Sequence, residues 1–293
     1  MVEAARLRPL AAWEPKRLRS GGPMALAVSV QALGGGGRCR LGVMQARDYT
    51  ATRPLVVLHQ GHSRWFEPLL AASLHHRLPL FIYPCQPGTG LEAALMGLQA
   101  LGFRGALLED PGLQALVLNA VQNLELEALQ ARRVDLVLPE MSGNRGFYLE
   151  PIALANLIRR YALGDKALWL GPVRPELAQG LRGLSKVSLL SRSLPEGEGF
   201  LALLPPPQRG VVAATEAQAT SVARQADLVV YSGGSLPLAL LQPYHHVIAL
   251  KPLPAEALRH IGEYVPPEEL ERFHLAALLE PLGYALPPET FAL

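Results

Sequence analysis

The chain has 293 residues, 49% of them hydrophobic, and a formal net charge of +2. That length supplies a sizeable core and room for two domains. The near-neutral balance gives no electrostatic case for a nucleic-acid partner, and no uninterrupted apolar run reaches the ~18 residues of a membrane span.

In chain order, basic residues gather first at Arg6, Arg8, Lys16, Arg17 and Arg19, and MALAVSVQAL follows. The pair imitates a secretory signal. Apolar side chains alternate, however, at Leu26, Val28 and Val30, and four glycines lead to a second alternating run, Cys39, Leu41 and Val43. That pattern predicts a β-hairpin within an extension over 1–50, with the basic residues as a solvated tail. The hairpin's apolar face suits covering a sheet edge or a homodimer contact.

LVVLHQG (55–61) reads as a buried strand running into a polar turn, and 67–78 as a helix. LPLFIYP (78–84) is again a strand, and 91–102 a helix closed by Gly102. The strand GALL, the acids Glu109 and Asp110, and a helix over 111–124 follow. A second series opens with a helix within 146–164, then strand 166–171, helix 174–184 and strand 186–193. It continues with a helix over 216–225, strands in 226–234 and 245–252, and an amphipathic helix with a broken end near the C-terminus. Strand–helix alternation of this kind predicts largely parallel sheets covered by helices. The fold class expected is α/β with two domains: an N-terminal α/β substrate-type domain over 51–150 and a Rossmann-like nucleotide-type domain over 151–253. Residues 254–293 are expected to be C-terminal helices packing back on the first domain.

Cys39 and Cys85 are the two cysteines, with no CxxC spacing. They suit a reduced, cytoplasmic protein better than a disulfide framework. Many Leu, Ala, Arg and Pro with few Asn fit a thermophile or a high-GC genome.

Chemistry is sought where strands hand over to helices. The turn GPVRPEL, after strand KALWL, is where a nucleotide phosphate would dock, because free N–H groups point at an anion there. Only Gly171 remains as a glycine, Pro172 and Pro175 each remove a donor, and Arg174 offers a side chain instead. The competing reading is a tight turn with proline at the first helical position. Ser191, Arg192 and Ser193 end the next strand, where an arginine suits a ribose 2′-phosphate. Gly233, after ADLVVYS, permits close approach of a ligand to the backbone, or simply a turn. His62 and Ser63 are candidates to hydrogen-bond an oxygen-rich ligand. The adjacent pairs His75-His76 and His245-His246 lack metal-ligand spacing, so no metal site is expected.

In succession these pieces resemble the shikimate dehydrogenase family. They are the His-Ser-x-x-x-x-Pro loop at 62–68, FRGALLEDPGLQAL, VDLVLPEMSGNRGFYLEPIALANL, KALWLG, SLLSRS and ADLVVYSGG. The resemblance covers about residues 54–252 and rests on order and spacing more than on identities. It implies a substrate domain, an NADP-binding Rossmann-type domain and C-terminal helices returning to the first. It also implies that key groups are replaced. The family loop Asn-x-Thr-x-Pro-x-Lys, laid on Pro111, gives Leu107, Glu109 and, for the lysine that assists proton transfer, Leu113. The asparagine of Val-Asn-Thr falls on Asp135, and the aspartate of Asn-Thr-Asp on Glu150. The Gly-Ala-Gly-Gly-Ala phosphate loop has become GPVRPE, and the Asn-Arg-Thr that grips the NADP phosphate is Ser191-Arg192-Ser193. No counterpart of the family's substrate-contacting C-terminal glutamine stands out.

Alcohol oxidation needs a group to accept the hydroxyl proton, typically worth ~10²–10⁴ in rate; leucine offers none. If Glu109, Asp135 and Glu150 converge, a substrate carboxylate meets repulsion of about 1 kcal/mol per pair in water and about 4 at a moderate effective dielectric. The expectation is a shikimate dehydrogenase-like pseudoenzyme that keeps a small-molecule or nucleotide cleft, with Asp135, His62 and Ser63 facing the ligand. The alternative is a divergent NADP-dependent oxidoreductase of a neutral or cationic hydroxylated substrate, with Glu109 or Glu150 as base. A third reading is an unrelated α/β enzyme. Glu109 and Asp110 also fit simple capping of the helix from Pro111, where acids favour the dipole.

Overall fold

The computed structural model describes residues 52–293. The expected N-terminal hairpin and basic tail lie outside those residues. Strand β1 (Arg53–Leu58) is sealed over its last four positions, as its continuous apolar run requires, and helix α1 (Phe66–His75) follows. Strand β2 (Leu80–Cys85) and helix α2 (Leu91–Gly97) come next. The helix expected to reach Gly102 stops five residues earlier. Phe103 N bonds Leu98 O (2.9 Å), and Gly102 takes φ +73°, a conformation that favours glycine, to turn the chain into β3 (Gly105–Leu108).

The single helix expected over 111–124 divides. It becomes α3 (Pro111–Leu116), a 3₁₀ turn at Val117–Ala120 and strand β4 (Asn123–Leu124). Pairing draws the end of this segment out of the helix, because Asn123 and Leu124 lie beside Arg145 and Gly146. Helix α4 (Leu126–Ala131), β5 (Leu136–Glu140) and β6 (Gly143–Phe147) complete the first sheet, of order β2-β1-β3-β5-β6-β4. β1 runs parallel to β2 and β3, whereas β5 is antiparallel to both β3 and β6.

Helix α5 (Glu150–Tyr161) then leads to β7 (Lys166–Leu170). The helix expected over 174–184 is a 3₁₀ segment, Pro175–Leu181. Its Gly180 presses on α5, since a Cβ there would stand 2.7 Å from Pro151 O. Proline and glycine both weaken an α-helix. β8 (Lys186–Leu190), α6 (Leu194–Ala202), β9 (Arg209–Ala213), α7 (Glu216–Ala223), β10 (Leu228–Tyr231), β11 (His246–Ala249) and β12 (Glu263–Val265) follow. The second sheet is wholly parallel, in the order β12-β11-β10-β7-β8-β9. Numbered from its own first strand it reads 3-2-1-4-5-6 from the β9 side, the doubly wound order. Chain direction across the sheet reverses between β7 and β10, so the ligand crevice of such a sheet lies beyond their carboxyl ends.

Helix α8 (Pro267–Leu279) returns to pack on α5, and Gly283 (φ +92°) breaks the chain after it. One apolar core joins Leu55, Val57 and Leu107 of the first sheet to Leu154 and Leu157 of α5, Trp169 of β7, and Leu275 and Leu278 of α8. A second core lies under α2 and α3, and a third on the far face of the second sheet. No helix among the described residues is long and apolar enough to cross a membrane.

Candidate active site

Polar side chains collect at the carboxyl edge of β1 and β3. The loop after β1 turns its donors toward the acids that follow β3. Ser63 Oγ donates to Glu109 Oε2 at 2.7 Å, and the Arg64 amide to Oε1 at 2.8 Å. The Arg64 guanidinium stands 3.5 Å from the same carboxylate. Ser63 also accepts from Phe66 N (3.1 Å), so one hydroxyl fixes the start of α1 and orients Glu109. Asp110 occupies the backbone position of an N-cap for α3, but its side chain makes no cap bond and accepts from the Gln60 amide instead. His62 is exposed.

Asp135 is fully buried. Its Oδ2 accepts from Leu149 N (2.7 Å), Glu150 N (3.2 Å) and His274 Nε2 (2.8 Å). The first amides of α5 are therefore satisfied by Asp135, the residue just before β5 and fourteen residues before Leu149, rather than by a local cap. Asp135 Oδ1 is buried with no partner among the described residues. His274 comes from α8 and meets the ring of Trp65 edge-on, with centroids 5.1 Å apart. Burial alone would lower its pKa, but hydrogen bonding to Asp135 and the charges of Asp135, Glu150 and Glu271 raise it above the ordinary histidine value.

Glu150 begins α5 and accepts from Tyr148 Oη (2.6 Å) and from Arg174 Nη2 (2.9 Å). Burial opposes its ionisation; the Arg174 and His274 charges and the two hydrogen bonds overcome that and hold its carboxyl below the ordinary value. Burial and the neighbouring Glu150 push the Tyr148 phenol far above its ordinary value. Arg174 also meets Glu176 (3.1 Å), and Glu176 meets Arg133 (3.3 Å).

The three acids thus belong to one neighbourhood: Leu108 N bonds Asp135 O (2.8 Å), and α8 contributes Glu271 toward Arg64 and His274 toward Asp135. Each carboxylate is held by partners within the chain. Leu113 is 3% exposed, sealed in α3 among Leu58, Leu95, Leu108, Val117 and Tyr148. Two surface concavities are present, and neither is lined by Glu109, Asp135 or Glu150. One, of about 540 Å³, is lined by Arg53, Phe103 and Met141; the other, of about 240 Å³, by Glu125, Phe147, Tyr148 and Glu280.

The second sheet has its own edge. Gly171 (φ +99°) follows β7, and Gly233 (φ +117°) and Gly234 (φ +81°) follow β10. A Cβ on Gly171 would fall 2.2 Å from Gly233 O, so the two turns touch backbone to backbone. Ser232 Oγ locks them by donating to Pro172 O (2.6 Å), which also accepts from Trp169 Nε1 (3.1 Å). At the end of β8, Ser191 Oγ donates to Ser193 O (2.9 Å), and Ser193 caps α6 through Glu196 N. Arg192 and Lys251 are exposed and form no ion pair among the described residues, and the Lys251 stem lies 3.3 Å from the Cβ position of Gly233. Backbone donors for a dinucleotide pyrophosphate are depleted by Pro172 and Pro175, whereas the side chains of Arg174, Arg192 and Lys251 are the right chemistry for its phosphates.

Sequence reasoning missed His274, Trp65, Tyr148 and Arg64. A single histidine within RFHLAALL, an otherwise apolar helix face, was the one available signal. Among the described residues no group of three His, Cys, Asp or Glu side chains is placed to hold a metal.

Two sheets of these orders, joined by α5 and closed by α8, define the two-domain α/β fold of the shikimate dehydrogenases. Shikimate 5-dehydrogenase from Listeria monocytogenes, solved with shikimate and NAD, superposes with a TM-score of 0.68 at 12% identity, over 81% of this chain and 94% of that one. Quinate dehydrogenase from Corynebacterium glutamicum, in complex with NAD, gives 0.66 at 17% identity, over 81% and 96%. Ligand-free 5-ketofructose reductase of a Gluconobacter strain gives 0.66 at 15% identity, over 82% and 96%. No protein-family model and no curated protein sequence matches the chain.

Proposed function

We propose that this chain is a shikimate dehydrogenase-like binding protein without shikimate dehydrogenase activity, holding a phosphorylated adenine nucleotide such as NADP at the edge of its second sheet. The observation that carries the first half is Leu113: a buried hydrocarbon stands at the position that the sequence resemblance matches to the family lysine. Glu109, Asp135 and Glu150 are each already partnered within the protein. An anionic substrate finds no uncommitted cation there, because Arg64, His274 and Arg174 are already engaged by those carboxylates. A neutral or cationic ligand is the chemistry that such an edge accepts.

Three features support the nucleotide half. They are the doubly wound strand order, the paired glycine turns at the point where that order reverses, and the exposed guanidinium of Arg192 at the end of β8. Arg192, with Ser191 and Ser193, would take the 2′-phosphate, and Arg174 and Gly233 would flank the pyrophosphate. When bound, such a cofactor supplies hydride chemistry. The division of the described chain into 51–150, 151–253 and 254–293 belongs to the same proposal, with α5 as the join.

Assays of the purified chain with shikimate and with quinate, each with NADP⁺ and with NAD⁺, test the first half; turnover of either acid sinks it. Calorimetry with NADP⁺ tests the second half, and absence of binding at millimolar nucleotide removes it.

One observation favours a second reading, that of a divergent oxidoreductase. The Asp135–His274 pair has the geometry of an oriented proton acceptor, with Nε2 held by a buried carboxylate. Glu150 is the poorer base, since Arg174 keeps it ionised and engaged. NADPH-dependent reduction of a neutral ketose by the wild-type chain, lost in His274→Gln, would favour this reading over the first.

A further inference from the structure

The proposed nucleotide site contains a contradiction that its own residues resolve. Arg174 is the one cation on the turn that follows β7, three residues beyond Gly171. Its guanidinium is half-buried and divided between Glu150 (2.9 Å) and Glu176 (3.1 Å). Glu150 belongs to the first helix after the first sheet and Arg174 to the first turn of the second, so the pair spans the join between the two sheets. Glu176 extends the link to Arg133, just before Asp135. A guanidinium offers a planar fork that matches a phosphate as well as a carboxylate, and it cannot serve both with the same N–H groups.

We infer that Glu150 is an internal competitor for the anion site on Arg174: a phosphate-bearing ligand at the turn after β7 binds by displacing the Glu150 carboxylate. This rests on the nucleotide reading above and goes beyond it, because it makes the two edges communicate. While Arg174 holds Glu150 and Glu176, its Nη2 and Nε are taken by the protein's own carboxylates. When a phosphate takes Arg174, Glu150 keeps only Tyr148 and its carboxylate is released beside the Asp135–His274 pair. By linkage, any ligand that prefers the released Glu150 must strengthen phosphate binding by the same factor. The exchange is purely electrostatic, with no covalent step. Glu150 is the stronger of the two competitors: it has no second cation within ion-pair distance among the described residues, so its release leaves a largely buried carboxylate with Tyr148 alone, whereas Glu176 keeps Arg133 in either state.

The test is the affinity of NADP⁺ and of inorganic pyrophosphate, by calorimetry, for the wild-type chain, Glu150→Gln, Arg174→Gln and the double variant. Removing the competing charge should tighten both probes in Glu150→Gln by about tenfold, or about 1.4 kcal/mol. Arg174→Gln should weaken both, and in the double variant the gain from Glu150→Gln should vanish, because its beneficiary is gone. Equal or weaker binding by Glu150→Gln overturns the inference, as does a gain that survives in the double variant. Should Glu150→Gln fail to fold, Glu176→Gln removes the other carboxylate from Arg174 and should give a smaller gain in the same direction; no gain there overturns the inference equally. Pyrophosphate binding that follows this pattern without NADP⁺ binding would uphold the competition and remove the nucleotide reading. Failure of both probes on every variant removes both.

Discussion

The carboxyl edges of the two sheets treat their charges in opposite ways. At the first, every acid is spent on the protein itself: Glu109 on Ser63 and Arg64, Asp135 on His274 and the start of α5, Glu150 on Tyr148 and Arg174. At the second, Arg192 and Lys251 stand exposed with no ion pair among the described residues. A buried charge must find a partner because leaving water is costly, whereas a solvated cation can wait for a ligand. The first edge is thus part of what holds the structure together, and the second presents cations without an ion pair among the described residues. Arg174 is where they meet, a cation of the second edge used by the first.

That contrast is most severely tested at Asp135. Asp135→Ala should destabilise the chain by about 3–5 kcal/mol, since His274 and two amides at the start of α5 lose a fully buried partner. Chemical denaturation with an unchanged m-value is the measurement. A loss below 1 kcal/mol would mean the first edge is not structural. Next comes Gly171→Ala, where the new methyl meets Gly233 O and the backbone sits at φ +99°. The expected cost is about 1–3 kcal/mol, read the same way, with nucleotide affinity falling as the two turns separate.

At the second edge the effect should appear in binding and not in folding. Arg192→Ala should leave the unfolding midpoint within experimental error, weaken NADP⁺ by roughly tenfold (about 1.4 kcal/mol) and leave NAD⁺ unchanged. Equal losses for both nucleotides would show that Arg192 does not read the 2′-phosphate.

The smallest effect is pH dependence. His274 titrates above its ordinary 6.5 in the folded chain, so its contribution is fully present below pH 6.5 and is lost as pH rises through the raised value. Glu150 titrates below its ordinary 4.5, so its contribution is present above pH 4.5 and is lost as pH falls through the depressed value. Thermal unfolding should therefore show its maximum between those limits. Asp135→Asn should flatten the alkaline limb, and a limb that persists unchanged would assign it to another group.

Much of the architecture was legible in the residues. Continuous apolar runs such as LVVL and ADLVV gave buried parallel strands, and their alternation with helical spacing gave the α/β class. The short strands β4, β5 and β6 were harder, because Gly143, Gly146 and Pro139 obscure the alternation and pairing, not propensity, makes them strands. The site was legible only by position. Glu109, Asp135 and Glu150 could be named, yet whether each faces a ligand or its own protein depends on Ser63, His274 and Arg174, which lie 46, 139 and 24 residues away.

By itself, then, the sequence determined which groups are present: a leucine at 113, acids at 109, 135 and 150, and an arginine at 192. Only the tertiary structure decided how those groups are spent. Local patterning fixes backbone periodicity because each residue's neighbours along the chain suffice for it. The fate of a charge is set by whatever long-range packing brings within about 3 Å, and here that is α8 and the turn after β7.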